Sequence, residues 1–352
     1  MRAVVIEEFG VLPVVREVPE PVAVPGGAVI EVDATGVCRS DWHSWQGHDE
    51  LVSLPLVAGH ELAGRIVALG EGVRGWEIGA RVTVPFVCAC GSCAQCARGA
   101  QNICDREFQP GATHWGSFAE RVAIAQAEVN LVALPDSLGA DEAAALGCRF
   151  ATAFRAVLRQ GRVSAGQWVA VYGCGGVGIS AVLLAAAVGA KVVAVDISPS
   201  ALALAEKSGA ALTVASSAVG TPEALAEHIR ELTGGGAHVS LDCLGSPQTC
   251  AASVGSLRKR GRHVQAGLMP AAQGVPPIPM QQVITGELEI VGTHGLPARE
   301  YPEMLRTVET AGIDLAGLIG RRIGLDDIPA ALAAMSDPVP AQAGVTVVTF
   351  GD

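Results

Sequence analysis

The sequence predicts an α/β protein in which a doubly wound parallel sheet is combined with a second, β-rich domain. From Trp168 onward, short apolar strands alternate with helical stretches, as in the βαβ units of a parallel sheet with helices on both faces. The first ~150 residues instead hold short β-like runs between turns, such as Ala28–Val32 and Arg81–Val84. The 43 glycines and 20 prolines suit a chain with frequent strand–loop–helix changes.

The elements of the second part follow from its alternating apolar and amphipathic runs. Strands are expected at 168–172, 191–196, 212–215, 237–243, 263–266 and 288–291, and helices at 177–188, 200–208, 222–232 and 248–257. The tail, Val345–Phe350, has the pattern of a strand that pairs back with the first part. The expected domains are therefore 1–149, 150–292 for the parallel sheet, and 293–352 returning to the β-rich domain.

The charge balance argues against nucleic acid and anionic membranes as partners. The net charge is −11, whereas duplex binding needs a basic face. The densest cations, Arg258-Lys259-Arg260 with Arg262, are interpreted as a solvated helix end. No signal peptide is expected, because the start, Met1–Ile6, runs directly into Glu7. Ten cysteines without an export signal favour metal ligands in a reducing, cytoplasmic setting over disulfides.

A glycine-rich segment between a strand and a helix indicates a dinucleotide site. Gly173-Cys174-Gly175-Gly176-Val177-Gly178 fits G-x-G-x-x-G, so its glycines and Val177 are expected to cradle a pyrophosphate at a helix N-terminus. The glycines also explain the uncharged run 168–190, whose length alone would suit a membrane span. Asp196 ends the next strand, where a carboxylate accepts hydrogen bonds from ribose hydroxyls and repels a 2′-phosphate, which favours NAD over NADP. The alternative is an ordinary glycine turn with Asp196 as a helix cap.

Two sets of side chains have the character of metal ligands. Four cysteines close in sequence can surround one tetrahedral zinc and leave no open position, which is typical of a structural site: Cys90, Cys93, Cys96 and Cys104. The second set is dispersed, and consists of Cys38, His60 with Glu61, and Cys148. Two thiolates, one imidazole and a water would form an open catalytic site. Spacing alone does not assemble this second set, since single cysteines and histidines are often buried structural residues.

These residues resemble those of the zinc-containing medium-chain alcohol dehydrogenases. The zinc signature of that family, G-H-E-x2-G-x5-G-x2-V, is present without a gap as Gly59-His60-Glu61, Gly64, Gly70 and Val73. The segments Cys38–His43 and Gly147-Cys148 with Thr152-Ala153 resemble its first and third ligand segments. The resemblance implies a Rossmann domain plus a discontinuous GroES-like catalytic domain. It also implies two zinc ions, NAD, a small alcohol or carbonyl substrate, and a homodimer or homotetramer.

Carried over to this sequence, the resemblance assigns roles around the catalytic zinc. Cys38, His60 and Cys148 bind the ion, and Glu61 lies beside it as a transient ligand that replaces water. Asp41 accepts a hydrogen bond from His60 and fixes its tautomer.

The resemblance also implies a proton relay and contacts to the other ligands. Ser40 takes the proton from the bound alcohol, and His43 passes it towards solvent. Arg39 contacts the cofactor pyrophosphate, and Phe86 lines the substrate pocket.

Two departures from the family remove positive charge from the cofactor site. Many relatives have an arginine just before the last strand, where this chain has Gly344-Val345, and a lysine near the position of Ala201. A lower affinity for NAD is therefore expected. The alternatives are a polyol or amino-alcohol dehydrogenase of the same superfamily, which Cys148 disfavours, and a non-enzymatic crystallin-like relative, which the complete ligand sets disfavour.

Overall fold

The computed structural model describes residues 1–269, 274–337 and 343–351, and it confirms the α/β class with two kinds of sheet. The strands are β1 (Arg2–Ile6), β2 (Val14–Glu17), β3 (Ala28–Val37), β4 (Leu56–Val57), β5 (Glu61–Leu69), β6 (Arg81–Thr83), β7 (Arg121–Ile124), β8 (Val132–Ala133), β9 (Trp168–Tyr172), β10 (Lys191–Asp196), β11 (Leu212–Ala215), β12 (Ala237–Asp242), β13 (Leu257–Gln265), β14 (Glu289–Gly292), β15 (Ile319–Ile323) and β16 (Val345–Thr349). The α-helices are α1 (Arg39–Trp45), α2 (Ala94–Ala97), α3 (Ala127–Asn130), α4 (Ala140–Ala145), α5 (Ala151–Phe154), α6 (Gly176–Ala187), α7 (Pro199–Lys207), α8 (Pro222–Leu232), α9 (Pro247–Gly255), α10 (Met280–Gly286), α11 (Tyr301–Thr310) and α12 (Ile328–Ala334).

A six-stranded, all-parallel sheet forms the second part of the chain. Its strand order is β11-β10-β9-β12-β13-β14, which is 3-2-1-4-5-6 counted from the first strand of the sheet. The chain winds to one side of β9 and then to the other, so the topological switch point of the sheet lies between β9 and β12. This point is beside the loop that follows β9. None of the described helices is long and apolar enough to cross a membrane.

Local sequence explains where the helices of this sheet begin. Three of them start with a hydroxyl residue followed by proline, at Ser198-Pro199, Thr221-Pro222 and Ser246-Pro247. In each case the hydroxyl accepts a hydrogen bond from a backbone N–H of the first turn, and the proline occupies a position whose N–H has no helical partner. The strands between them are buried apolar runs, as expected for a sheet covered on both faces.

The first part of the chain builds a seven-stranded sheet, in which the tail of the chain takes part. Strand β16 pairs antiparallel with β3 and parallel with β15, so the C-terminal segment completes the β-rich domain. The expected strand at Val345–Phe350 is thereby confirmed. A helical run from 140 to 160 leads from this sheet to β9, and two of its turns are π-helical, at Leu146–Phe150 and Arg155–Gln160.

The interpretation of Arg258-Lys259-Arg260 as a helix end is wrong. Helix α9 ends at Gly255, and these cations lie in β13. The register to β12 jumps from Leu257 to Arg262, so the residues between them bulge out of the ladder. Arg260 has a φ of 61°, and a local bulge of this kind cannot be predicted from the spacing of apolar residues.

Candidate metal centre and active site

Three separate elements bring the dispersed ligand set together. Cys38 follows β3 and precedes α1, His60 immediately precedes β5, and Cys148 lies in the π-helical turn Leu146–Phe150. The two Sγ atoms and a ring nitrogen of His60 all lie within 4.8 Å of one another. A π-helical turn widens the helix locally and is frequent at functional sites, and here it carries the third ligand.

The chemistry of this donor set fits zinc. His60 Nε2 is buried and has no hydrogen-bond partner among the described residues, whereas its Nδ1 lies 2.9 Å from Asp41 Oδ1. Burying a ring nitrogen that has no hydrogen-bond partner costs free energy, unless the nitrogen binds a metal ion or another ligand. Two thiols and one imidazole are the ligands that zinc prefers, and three of them leave a fourth position open.

Asp41 organises the backbone around two of these ligands. Its Oδ2 accepts a hydrogen bond from the Cys38 amide at 2.8 Å, and its Oδ1 accepts one from the Gly59 amide at 3.0 Å as well as the contact with His60. The side chain is almost completely buried. Because a carboxylate only accepts, His60 must carry its proton on Nδ1, which leaves Nε2 free for a metal.

The two thiols of the set differ in acidity. The hydrogen bond from Cys148, with His60 and Arg149 nearby, holds the pKa of Cys38 well below its usual range despite its burial. The same hydrogen bond and burial raise the pKa of Cys148.

Glu61 forms a buried ion pair with Arg149. Its Oε1 accepts hydrogen bonds of 3.0 Å from the backbone N–H groups of Cys148 and Arg149 and from Arg149 Nε, and its Oε2 pairs with Arg149 Nη2. Both partners are buried. The role of Glu61 as a transient metal ligand stays a prediction, because it requires this ion pair to open. Sequence reasoning missed Arg149; the available signal was a charged residue directly after a ligand, within an apolar helical run.

The four clustered cysteines form a second ligand group, whose Sγ atoms all lie within 4.8 Å of one another. Four of the Sγ–Sγ distances lie between 3.4 and 4.0 Å. A tetrahedron with Zn–S bonds of about 2.3 Å has edges of about 3.8 Å, so the spacing fits zinc. Amide N–H groups donate to these sulfurs, and that of Ser92 is the main cause that lowers the pKa of Cys90 to about 5. All ten cysteines of the chain are free of disulfides.

The glycine-rich loop has the geometry of a phosphate cradle. Gly173 has φ +85°, a conformation that favours glycine, and a Cβ on Gly178 would overlap the Gly173 carbonyl oxygen. A Cβ on Gly175 would meet nothing within 4 Å, so this residue faces open space at the start of α6. Asp196 lies at the rim of the cradle, where its Oδ2 accepts a hydrogen bond from the Cys174 amide at 2.6 Å and its Oδ1 one from the Ser198 amide at 2.8 Å.

Four other candidate site residues can be located relative to the ligands: Ser40, Phe86, His43 and Arg39. Ser40 Oγ lies 3.9 Å from Cys38 Sγ, and the Phe86 ring is 6.2 Å from the His60 ring, in an edge-on arrangement. His43 is half-buried and its Nδ1 lies 3.0 Å from Nδ1 of His48, an exposed residue that sequence reasoning did not consider. The Arg39 guanidinium stacks on the Trp42 ring and donates to the Met335 carbonyl, so it is directed to α12 rather than to the glycine loop.

The chain belongs to the zinc-type medium-chain dehydrogenase/reductase family. Residues 24–136 match the alcohol dehydrogenase GroES-like domain, and residues 176–310 match the zinc-binding dehydrogenase domain. An alcohol dehydrogenase of Rhizobium meliloti (strain 1021) is 39% identical over 238 residues, which is 67% of this chain and 68% of that protein.

Further relatives support the same family. An alcohol dehydrogenase of Geobacillus stearothermophilus is 38% identical over 216 residues, which covers 61% of this chain and 63% of that relative. A structure from Sinorhizobium meliloti 1021, bound to NADP, superposes with a TM-score of 0.87 at 29% identity and covers 99% of both chains.

Proposed function

We propose that the chain is a zinc-dependent alcohol dehydrogenase that reversibly oxidises an alcohol to an aldehyde or ketone with NAD. The observation that carries the proposal is the convergence of Cys38, His60 and Cys148, in which a buried ring nitrogen of His60 has no hydrogen-bond partner in the described part of the chain. These three ligands leave a fourth position for a substrate oxygen. Bound zinc supplies a Lewis acid towards that oxygen, and bound NAD supplies the hydride acceptor.

The side chains next to the ligands provide a path for the alcohol proton. Ser40 lies beside Cys38, where its hydroxyl can accept a proton and pass one on. Burial, assisted by Arg39 and His48, lowers the pKa of His43, so its ring is neutral near pH 7 and can accept that proton. The contact between His43 and His48 extends the path to an exposed ring.

The preference for NAD rests on Asp196. Its half-buried carboxylate lies at the rim of the glycine loop, and the next residues, Ile197 and Ser198, bring no cation. A ribose hydroxyl donates to such a carboxylate, whereas a 2′-phosphate meets uncompensated negative charge. The NADP seen in one relative is therefore not expected to be the preferred cofactor here.

Two zinc ions per chain and a homo-oligomer complete the proposal. The second ion is held by the four-cysteine group and is structural, because that group has no open position. Strand β14 ends the parallel sheet and exposes Ile290, so this edge supports a dimer formed through the nucleotide domain. The ten unpaired cysteines favour a reducing compartment, the cytoplasm.

The test combines metal analysis with steady-state kinetics. Purified protein should contain about two zinc ions per chain and should reduce NAD with some members of a panel of primary, secondary, aromatic and polyol alcohols. Turnover confined to polyols or amino alcohols would select that alternative. Two zinc ions without turnover of any panel member in either direction would contradict the proposal and favour a non-catalytic relative.

A further inference from the structure

Each ligand of the three-residue metal site has a neighbour in sequence that takes part in one buried cluster. Val37 precedes Cys38, Glu61 follows His60, and Arg149 follows Cys148. Arg149 Nη1 donates to the Val37 carbonyl at 3.1 Å, while the rest of its guanidinium and its amide bind Glu61. We refer to Val37, Glu61 and Arg149 together as the carboxylate hub. Three ligand-bearing segments that are distant in sequence therefore meet at a single point.

The surrounding backbone leaves room for this hub and for little else. A Cβ on Gly36 would overlap Glu61 Oε2 and would lie 2.7 Å from Arg149 Nη2. A Cβ on Gly147 would lie 2.8 Å from both the Cα and the Cβ of Glu61. Since a buried carboxylate and guanidinium are tolerated only when their hydrogen bonds are satisfied, the five contacts of the pair fix it in one geometry.

The hub also contacts the start of the nucleotide helix. A Cβ on Gly176, the first residue of α6, would overlap Cδ of Arg149. The aliphatic stem of Arg149 thus packs against the helix whose N-terminus faces the glycine cradle. The same side chain supports the metal ligands on one side and the nucleotide loop on the other.

We propose that Arg149 is a positioning residue, which together with Glu61 holds the segments bearing Cys38, His60 and Cys148 in the geometry that binds zinc. It acts through the backbone of the ligands and does not touch the ion. This inference rests on the proposed zinc site, but it concerns the retention and coordination of the ion rather than turnover.

The test measures zinc release to a chelating dye from the full-length protein, in wild type, Arg149→Met and Arg149→Lys. Loss of hydrogen bonds that orient metal ligands typically weakens metal binding by about 10- to 100-fold. Arg149→Met should therefore release one zinc equivalent at least about 10-fold faster, while the equivalent held by the four cysteines is released at the wild-type rate. Lysine keeps the charge but lacks the planar fork of donors, so Arg149→Lys should restore retention only in part.

Two further variants separate positioning from a general loss of structure. Arg155→Met removes an arginine that pairs with Glu300 from the same helical run, and it should leave zinc release unchanged. The double variant Glu61→Gln with Arg149→Met contains no unpaired buried charge, so it folds even where Arg149→Met does not. In this double variant, cobalt(II) placed in the three-ligand site should show an altered visible spectrum, because the ligands are no longer fixed.

Three results would overturn the proposal: wild-type zinc release in the folded double variant, an unchanged cobalt spectrum, or equal acceleration of both zinc equivalents. None of these readouts needs catalysis. A wild-type protein that binds two zinc ions but turns over no alcohol would refute the dehydrogenase function, and the hub would still be tested.

Discussion

Replacing Asp41 with asparagine tests the assignment of the catalytic ligands, because the change keeps the shape of the side chain and alters one atom. In the native protein the carboxylate accepts from the Cys38 amide on one oxygen, and from the Gly59 amide and His60 on the other. An asparagine amide can accept on only one side. If its NH2 faces Cys38, two donors oppose each other. If it faces His60, it donates to Nδ1 and moves the ring proton to Nε2, the atom needed for zinc.

Either orientation loses at least one hydrogen bond to a buried carboxylate, worth about 1.5–3 kcal/mol. At about 1.4 kcal/mol per tenfold change, Asp41→Asn should bind the catalytic zinc about 10- to 100-fold more weakly. Competition with a chelating dye measures the affinity, and turnover at saturating zinc shows how much activity returns. Asp314→Asn is the matched control, since Asp314 is exposed and accepts a backbone hydrogen bond from Gly317. Equal zinc affinity in both variants and wild type would refute the assignment of Asp41.

Three other predictions address the remaining sites. Cys104→Ser should lose one zinc equivalent and lower Tm by about 5–10 °C, with most of the turnover of the folded protein retained; lost turnover at unchanged Tm would contradict the structural role. His43→Ala should slow alcohol oxidation by about 10- to 100-fold below neutral pH. The neutral His43 ring is the proton acceptor, and burial, Arg39 and His48 lower its pKa, so the wild type should keep its rate to lower pH than the variant does. Small external bases should rescue the variant. An unchanged pH–rate profile would exclude the relay. The wild type should prefer NAD by about 100-fold in kcat/KM, and Asp196→Gly with Ile197→Arg should shift the preference towards NADP; equal wild-type values would show that Asp196 does not face the ribose.

Much of the fold could be predicted because its signals are local. Strands β9, β10 and β11 and helix α8 have the bounds that their apolar periodicity indicates. The glycine loop and the four-cysteine group each lie within a short stretch of sequence, so the spacing of their residues is enough to predict that these residues lie together.

The interactions that could not be predicted join residues that are distant in sequence. Glu61 and Arg149 are 88 residues apart, and no periodicity links a strand with a π-helical turn of another segment. Arg39 donates a hydrogen bond to the Met335 carbonyl, which is 296 residues away in sequence. The choice of partner depends on how segments that are distant in sequence pack together, which a single sequence does not specify.

The structure also explains the two positions at which this chain lacks the cations of its relatives. Gly344 has φ +100°, and a Cβ there would lie 2.8 Å from the Gly320 amide nitrogen, so the β15–β16 junction excludes a side chain at this point. Ala201 is buried, with its amide bonded to Ser198 Oγ at the cap of α7, and a lysine is rarely buried unless it is paired. Arg149 does not compensate for these losses, since Glu61 neutralises its charge. In the proposed site, the negative charge of a dinucleotide would therefore face the backbone N–H groups at the start of α6, whose partial charge of about +0.5 is weaker than that of a guanidinium. The lower affinity for NAD stays a prediction, and the backbone at Gly344 together with the burial of Ala201 supports it.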